Sequence, residues 1–164
     1  MLPEYENLPY RKGVDVYVMD KNGNFLIVRK SRYDENQWGL AGGGVDEGES
    51  VEECVTRELK EELGSTKFEI LFRVPFSLKY NFPDDLIKHE KEEGKSMYKG
   101  QVKEQFLALF TGDHKEIRPQ ESELKQIKWV GPEEIEKHFV FEGQTENLRH
   151  VLEEFKKHGF LNYN

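Results

Sequence analysis

Between Gly42 and Gly64 the chain reads GGGVDEGESVEECVTRELKEELG, and this stretch constrains the fold more than any other. It consists of a glycine loop, a capped helix and a group of acids gathered on one part of that helix. Ser50 followed by Glu53 forms a capping box, in which each side chain satisfies an orphan amide at the helix start. Gly64 supplies the stop. Between them Val51, Val55, Leu59 and Leu63 recur at every fourth position and make an apolar stripe. At about 100° per residue the stripe covers an arc of roughly 120°. Glu58 and Glu62 fall within or beside the Val51 end of that arc, and Glu61 falls next to Cys54. Glu53, Thr56, Arg57 and Lys60 take the opposite, wet face.

Glu58, Glu61 and Glu62 therefore sit where the helix begins to bury itself. Carboxylates packed this closely repel one another and lose hydration. A shared divalent cation makes such a cluster tolerable, and ligands that are all oxygen suit Mg2+, with Mn2+ as a substitute. The bland alternative is a solvated Glu/Lys helix. The position of the acids beside the apolar stripe, and the glycines before them, argue against it.

At these residues the chain resembles the Nudix hydrolases. The box of that family is G, five residues, E, seven residues, R-E, an aliphatic, any residue, E-E, any residue, G, then an aliphatic. Gly43, Glu49, Arg57, Glu58, Leu59, Glu61, Glu62 and Gly64 match it position for position, and Ser65 departs from it at the last place. The resemblance implies that Glu58, Glu61 and Glu62 hold the metal with the Gly43 carbonyl. It also implies that Arg57 and Glu49 pair to orient Glu58.

A length of 164 residues suits one domain, 1–164, with a real core. The net charge of −8 argues against broad duplex nucleic-acid or anionic-membrane binding, both of which need basic surfaces. A polyphosphate substrate remains compatible with it, because bound metal inverts the local field. Cys54 is the single cysteine, so no internal disulfide forms, consistent with a reducing, cytoplasmic compartment. Met1–Pro9 has two glutamates and no apolar run, so no secretory signal is expected. No stretch approaches the length of a membrane span.

In chain order, Val14, Val16 and Val18 alternate with Asp15 and Tyr17 as a strand. The turn Asp20–Asn24 leads back into Phe25–Arg29 as the second arm of a hairpin. Ser31–Trp38 reads as a polar loop, and Phe68–Tyr80 as extended. Asn81–Gly100 is charged and broken by Pro83 and Gly94, which suggests an ordered insertion or a flexible lid. Gln101–Thr111 contains the apolar run of a buried strand, Thr111–Glu123 is a loop, and Leu124–Val130 is a short strand. Gly131–Glu134 opens a helix with Pro132 at its first position. The last helix covers about Thr145–His158, with Leu148, Val151, Leu152 and Phe155 on one face. This pattern gives an α/β protein. The resemblance sharpens it to a Nudix-type α/β/α sandwich around a central mixed sheet.

The resemblance extends to one branch, the dinucleoside polyphosphate hydrolases and RNA 5′-pyrophosphohydrolases. Tyr10-Arg11, Val74-Pro75-Phe76, Lys79–Pro83, Tyr98–Gln101 and Phe110–Asp113 resemble elements of that branch, and Glu123 falls where it carries a further acidic ligand or base. The implied roles follow the chemistry of phosphoanhydride hydrolysis, which mainly needs positioning and charge neutralisation. Glu58, Glu61, Glu62 and Glu123 hold metal, and Glu62 or Glu123 takes the proton of the attacking water. Arg11, Lys79, Tyr80, Lys99, Gln101 and, more weakly, Lys103 are candidates for the phosphate chain. Phe141 lies near a base-stacking position.

Three departures from the branch bear on the substrate. Ala41-Gly42 replaces Pro-Gln, Glu104 replaces a basic residue, and Glu142-Gly143 follows Phe141 in place of basic residues. These favour a nucleotide small molecule, a dinucleoside polyphosphate such as diadenosine tetraphosphate, over an RNA 5′ end. The competing enzyme reading is a house-cleaning nucleoside triphosphate pyrophosphatase. The competing non-enzyme readings are a nucleotide-sensing Nudix domain and an acidic adaptor. The sequence leaves the oligomeric state open.

Overall fold

The computed structural model describes residues 1–95 and 97–161. The strands are β1 (Tyr10–Met19), β2 (Phe25–Lys30), β3 (Ala41–Gly44), β4 (Phe68–Arg73), β5 (Leu78–Asn81), β6 (Gly100–Phe110) and β7 (Leu124–Val130). The helices are α1 (Val51–Leu63), α2 (Asp84–Glu92) and α3 (Gln144–Lys157). The sheet runs β4-β6-β1-β2-β7, with β3 added to β1 and β5 added to β6. β1 and β6 are parallel from Tyr10↔Gly100 to Met19↔Leu109, and the other pairings are antiparallel, so the sheet is mixed.

Strand alternation sends side chains to two packed layers. Val14, Val16 and Val18 of β1 and Phe106, Ala108 and Phe110 of β6 pack against Val55, Leu59 and Leu63 of α1. Tyr17 and Leu107 point the other way and pack with Leu148, Val151 and Phe155 of α3. One helix on each face makes the expected α/β/α sandwich. β1 is buried on both faces, from Gly13 through Val18, so Asp15 and Tyr17 are interior residues although they looked like the polar half of an alternating strand.

One topological feature positions the site. β1 gives the same edge to two partners, to β2 at Val18 and Met19 and to β3 from Gly13 to Val16. β2 continues away from β1 toward β7, leaving a gap beside the outer edge of β3. The glycine run read from sequence as a loop is therefore a strand. Glycine is a poor strand former, and here the neighbours of β3 override that preference, as the site geometry below shows.

Three other expectations are refined. Phe68–Tyr80 is extended but broken at Val74–Ser77, where the Val74 amide still donates to the Gln105 carbonyl. In the segment after Asn81, α2 buries Ile87, and its Asp84 carboxylate accepts a hydrogen bond from the Leu2 amide. Pro132–His138 forms a 3-10 helix rather than an α-helix. Among the described residues no helix is long and apolar enough to cross a membrane.

Candidate active site

β3 and α1 build the site together. The capping box is present, with the Ser50 hydroxyl accepting from the Glu53 amide and the Glu53 carboxylate accepting from the Ser50 amide. Gly64 closes the helix at φ 67°, a left-handed position that suits glycine. On the helix, Glu58 and Glu62 are 8% and 3% exposed, whereas the Glu61 side chain is 46% exposed.

The glycines of β3 are what let these acids approach. A Cβ on Gly43 would run into the Glu58 carboxylate, and one on Gly44 would run into the Arg11 guanidinium. Gly42 has φ +137°, and a Cβ there would strike the Val14 carbonyl. With no side chains on the three glycines of β3, a carboxylate comes to it from one direction and a guanidinium from another. Its outward backbone groups are also used. The Gly42 amide donates to Glu62 at 3.1 Å, the Gly42 carbonyl accepts from Lys30 at 2.8 Å, and the Gly44 carbonyl accepts from Arg57 at 2.8 Å. Gly43 instead lies opposite Val14 in the ladder, with its carbonyl 3.9 Å from Cys54 Sγ.

Glu58, Glu62 and Glu123 bring one carboxylate oxygen each within 4.8 Å of one another. Glu61 is outside this group; Arg57 Nη1 holds it at 3.1 Å and Glu58 at 3.0 Å. The same guanidinium pairs with Glu49 through Nε at 2.7 Å and Nη2 at 3.0 Å, and with Asp46 at 3.3 Å. Arg57 thus lies folded beneath the acids rather than on the wet face of the helix. Its hydrogen bonds hold the Glu49 carboxyl down at about 2. Burial acts oppositely on the acids above. It raises Glu58 against the pull of Arg57, and it raises Glu62 to about 7 although Lys30 and the Gly42 amide favour its charged form.

Lys30 reaches the site from the end of β2, its ammonium 3.4 Å from Glu62 and itself disfavoured by burial. Lys103 of β6 makes a second buried pair, 2.9 Å from Asp15 of β1. Arg11, Lys30, Arg32, Gln101 and Lys103 line the same cleft, of about 300 Å3, as Glu58, Glu62 and Glu123. Acids suited to a cation thus face side chains suited to an anion.

The sequence candidates separate into three groups. Glu58, Glu62, Glu123, Gly43, Arg11, Gln101 and Lys103 line the cleft, and Arg57 and Glu49 support it from beneath. Glu61 is at the rim. Lys79 and Lys99 do not line the cleft; their ammonium groups lie 4.5 and 4.9 Å from the centre of the Tyr10 ring. Tyr80 is exposed and does not line the cleft, its ring 6.0 Å from Phe82. The Phe141 ring packs 5.2 Å from Tyr33, which carries the Arg32 guanidinium at 5.1 Å, so Phe141 is neither a core residue nor free in solvent.

Lys30, Asp15, Arg32 and Tyr33 were not singled out from sequence. Asp15 carried a readable signal, a lone acid between valines in a strand buried on both sides. Lys30 did not, because a lysine ending an apolar strand is ordinary. The donor set itself fits a hard divalent cation: the side-chain donors are all carboxylate oxygens, two of the three carboxylates are buried, and their charges are costly without one.

A NUDIX domain profile matches residues 9–155. The chain is 34% identical over 155 residues to "Nudix hydrolase 26, chloroplastic" of Arabidopsis thaliana, covering 91% of this chain and 70% of that protein. It is 30% identical over 164 residues to an RNA pyrophosphohydrolase of Erythrobacter litoralis, covering 93% and 94%. An Ap4A hydrolase from C. elegans, solved as a binary complex, shares the fold with a TM-score of 0.65 and 22% identity, over 90% of this chain and 98% of that one. By its box, its fold and these relatives, the chain belongs to the Nudix hydrolases, which cut pyrophosphate bonds.

Proposed function

We propose that residues 1–164 act as a single Nudix domain that hydrolyses the phosphoanhydride chain of nucleoside polyphosphates, foremost dinucleoside polyphosphates such as diadenosine tetraphosphate, with Mg2+ or Mn2+. One observation carries the reading: three carboxylates within 4.8 Å share a cleft with Arg11, Lys30, Arg32 and Lys103. Glu58, Glu62 and Glu123 hold the metal, with the Gly43 carbonyl and Glu61 at the edge of the set. The bound cation supplies charge neutralisation and polarisation of phosphoryl oxygens. Arg57, itself fixed by Glu49, orients Glu58. Arg11, Gln101 and Lys103 take oxygens of the phosphate chain. Glu62 and Glu123 are the two bases that face the reacting position. Tyr33, Phe141 and Tyr80 offer aromatic walls for a base. A cytoplasmic setting suits the single buried thiol.

The names of the bacterial relatives support a second reading, removal of pyrophosphate from an RNA 5′ end. One departure counted against it has less force than the sequence suggested. Glu104 pairs with Arg73 at 3.3 Å and alternates with Lys103 along β6, so its side chain lies on the face away from the cleft. Glu142 and Gly143, beside Phe141, still weigh against a long anionic chain.

The deciding experiment incubates the protein and Mg2+ with diadenosine tetraphosphate, nucleoside triphosphates and a 5′-triphosphorylated RNA, and identifies products by chromatography. The proposal expects ATP plus AMP from the first. Pyrophosphate plus a monophosphate from triphosphates, with the dinucleotide uncut, favours the house-cleaning reading. Turnover of RNA alone favours the second reading, and binding without turnover favours a sensor.

A further inference from the structure

We propose that Asp15 is a positioning residue for the reaction: it holds the Lys103 ammonium on the cleft floor, where that ammonium neutralises the phosphate lying between the nucleoside and the cleaved bond. The inference rests on the reading of the cleft just given.

The placement begins with register. β1 and β6 are parallel, with Gly13 opposite Lys103 and Asp15 opposite Gln105. Asp15 and Lys103 therefore share the face that Tyr17 and Leu107 carry into the α3 layer. On that face Lys103 lines the cleft, with Asp15 buried behind it. Gly13 has no side chain to cover the lysine, and a Cβ there would crowd the Gly43 carbonyl at 2.9 Å.

The four cationic side chains of the cleft are not equivalent. Arg11 and Arg32 are exposed, Arg11 against Gly44 and Arg32 over the Tyr33 ring. Lys30 is committed to the Gly42 carbonyl and to Glu62. Lys103 is buried, and its ammonium has Asp15 as its one hydrogen-bond partner among the described residues. It keeps N–H donors for a ligand while its position is fixed. Burial pulls its pKa down; the Asp15 carboxylate, by charge and hydrogen bond, outweighs that and keeps it above the ordinary lysine value.

A purely structural ion pair is the competing explanation. β1 and β6 are already paired along the whole length of β1, so the sheet does not need this link. A buried ion pair is also a weak source of stability compared with apolar residues of similar volume.

The test compares wild type, Asp15→Asn, Lys103→Met and the double variant in hydrolysis of diadenosine tetraphosphate between pH 6 and 10, with thermal melts as a folding control. In Asp15→Asn the buried ammonium lacks its counter-charge, so the alkaline limb of kcat/KM moves down by about 1–3 pH units, with near-normal rates restored on the acid side. Lys103→Met lowers kcat/KM by about 10²-fold at every pH, and adding Asp15→Asn to it brings no further loss. An unchanged pH profile in Asp15→Asn, or an equal further loss in the Lys103→Met background, overturns the proposal. Should Asp15→Asn fail to fold, Asp15→Glu keeps the charge but moves it by one methylene, and an unchanged KM then overturns it. Calorimetry with inorganic tripolyphosphate separates this inference from the substrate reading. Binding that weakens in Asp15→Asn at pH 9 but not at pH 6.5 supports Asp15 even if no nucleotide is hydrolysed, and equal binding at both counts against it.

Discussion

Two ion networks flank α1 and use opposite physics on the same residue type. In one, Arg57 gathers Glu49, Asp46, Glu58 and Glu61 at the partly exposed edge of the helix. In the other, Lys30 meets Glu62 inside the protein, beside the Gly42 amide. The first network has water and a forked guanidinium, and it drives the Glu49 carboxyl down to about 2. The second has a point charge and little water, and Glu62 rises to about 7. Hydrogen-bond geometry decides the first and desolvation the second. The edge network can therefore hold a ligand in place without a metal, whereas the interior one is incomplete until more positive charge arrives.

Lys30→Met breaks the interior network and should have the largest effect. At pH 8, without metal, it forces Glu62 either to stay charged beside the Gly42 amide alone or to take up a proton, a loss of roughly 3 kcal/mol. At pH 6 Glu62 takes up a proton and the loss shrinks. Thermal melts in chelator at the two pH values measure both, and Mg2+ should recover most of the difference. An equal loss at both pH values would show that the lysine stem, not its charge, matters. Arg57→Ala strips the edge network next. Without the fork that orients Glu58, affinity for Mg2+ and kcat should each fall by about 10–100-fold, with a small change in melting temperature. Titration calorimetry and steady-state rates check it.

The difference between the networks also explains what could be read from sequence. Arg57, Glu49, Glu58 and Glu61 lie within one helix and the turn before it, so spacing alone reports them. The cap at Ser50 and stop at Gly64 are local in the same way, and α1 could be drawn residue by residue. The apolar run of β6 announced a central strand for similar reasons. Lys30 and Glu62 are 32 residues apart, and Lys103 and Asp15 are 88 apart. Those contacts exist only once β1 has chosen β6 as its parallel partner and shared its edge with β3, and neither choice is written in any short window. The glycine strand was missed because its conformation is imposed by what approaches it, Glu58 and Arg11, rather than by any preference of its own.

The pH dependence of metal binding sharpens the comparison at a smaller scale. Glu62 holds its proton more tightly in the folded, metal-free protein than in the unfolded chain. Its contribution to stability is thus greatest below about 4.5 and is lost as pH rises through about 7. A cation must displace that proton, so Mg2+ affinity should fall about tenfold per pH unit below 7 and level off above it. Glu49 runs the other way. Its contribution is present above 4.5 and disappears only as pH falls toward 2. Mg2+ affinity that is flat from pH 5.5 to 8 would mean that Glu62 is ionised throughout.

The smallest effect belongs to a third pair on the same helix, which has the Coulomb partner but neither the fork of the first network nor the burial of the second. Arg73 reaches Glu52 at 3.4 Å, with both side chains about half exposed at 48% and 52%. Exposed pairs of this kind contribute little, because water screens them and two long side chains lose rotamer freedom in meeting. Arg73 also lies over the Phe106 ring at 5.6 Å and reaches Glu104 at 3.3 Å, two contacts that a glutamine keeps only in part. Arg73→Gln should change unfolding free energy by no more than about 0.5 kcal/mol and leave kcat and Mg2+ affinity unchanged. A loss comparable to Arg57→Ala would mean that charge alone, irrespective of geometry and burial, holds this helix in place, and the contrast between the two networks would lose its basis.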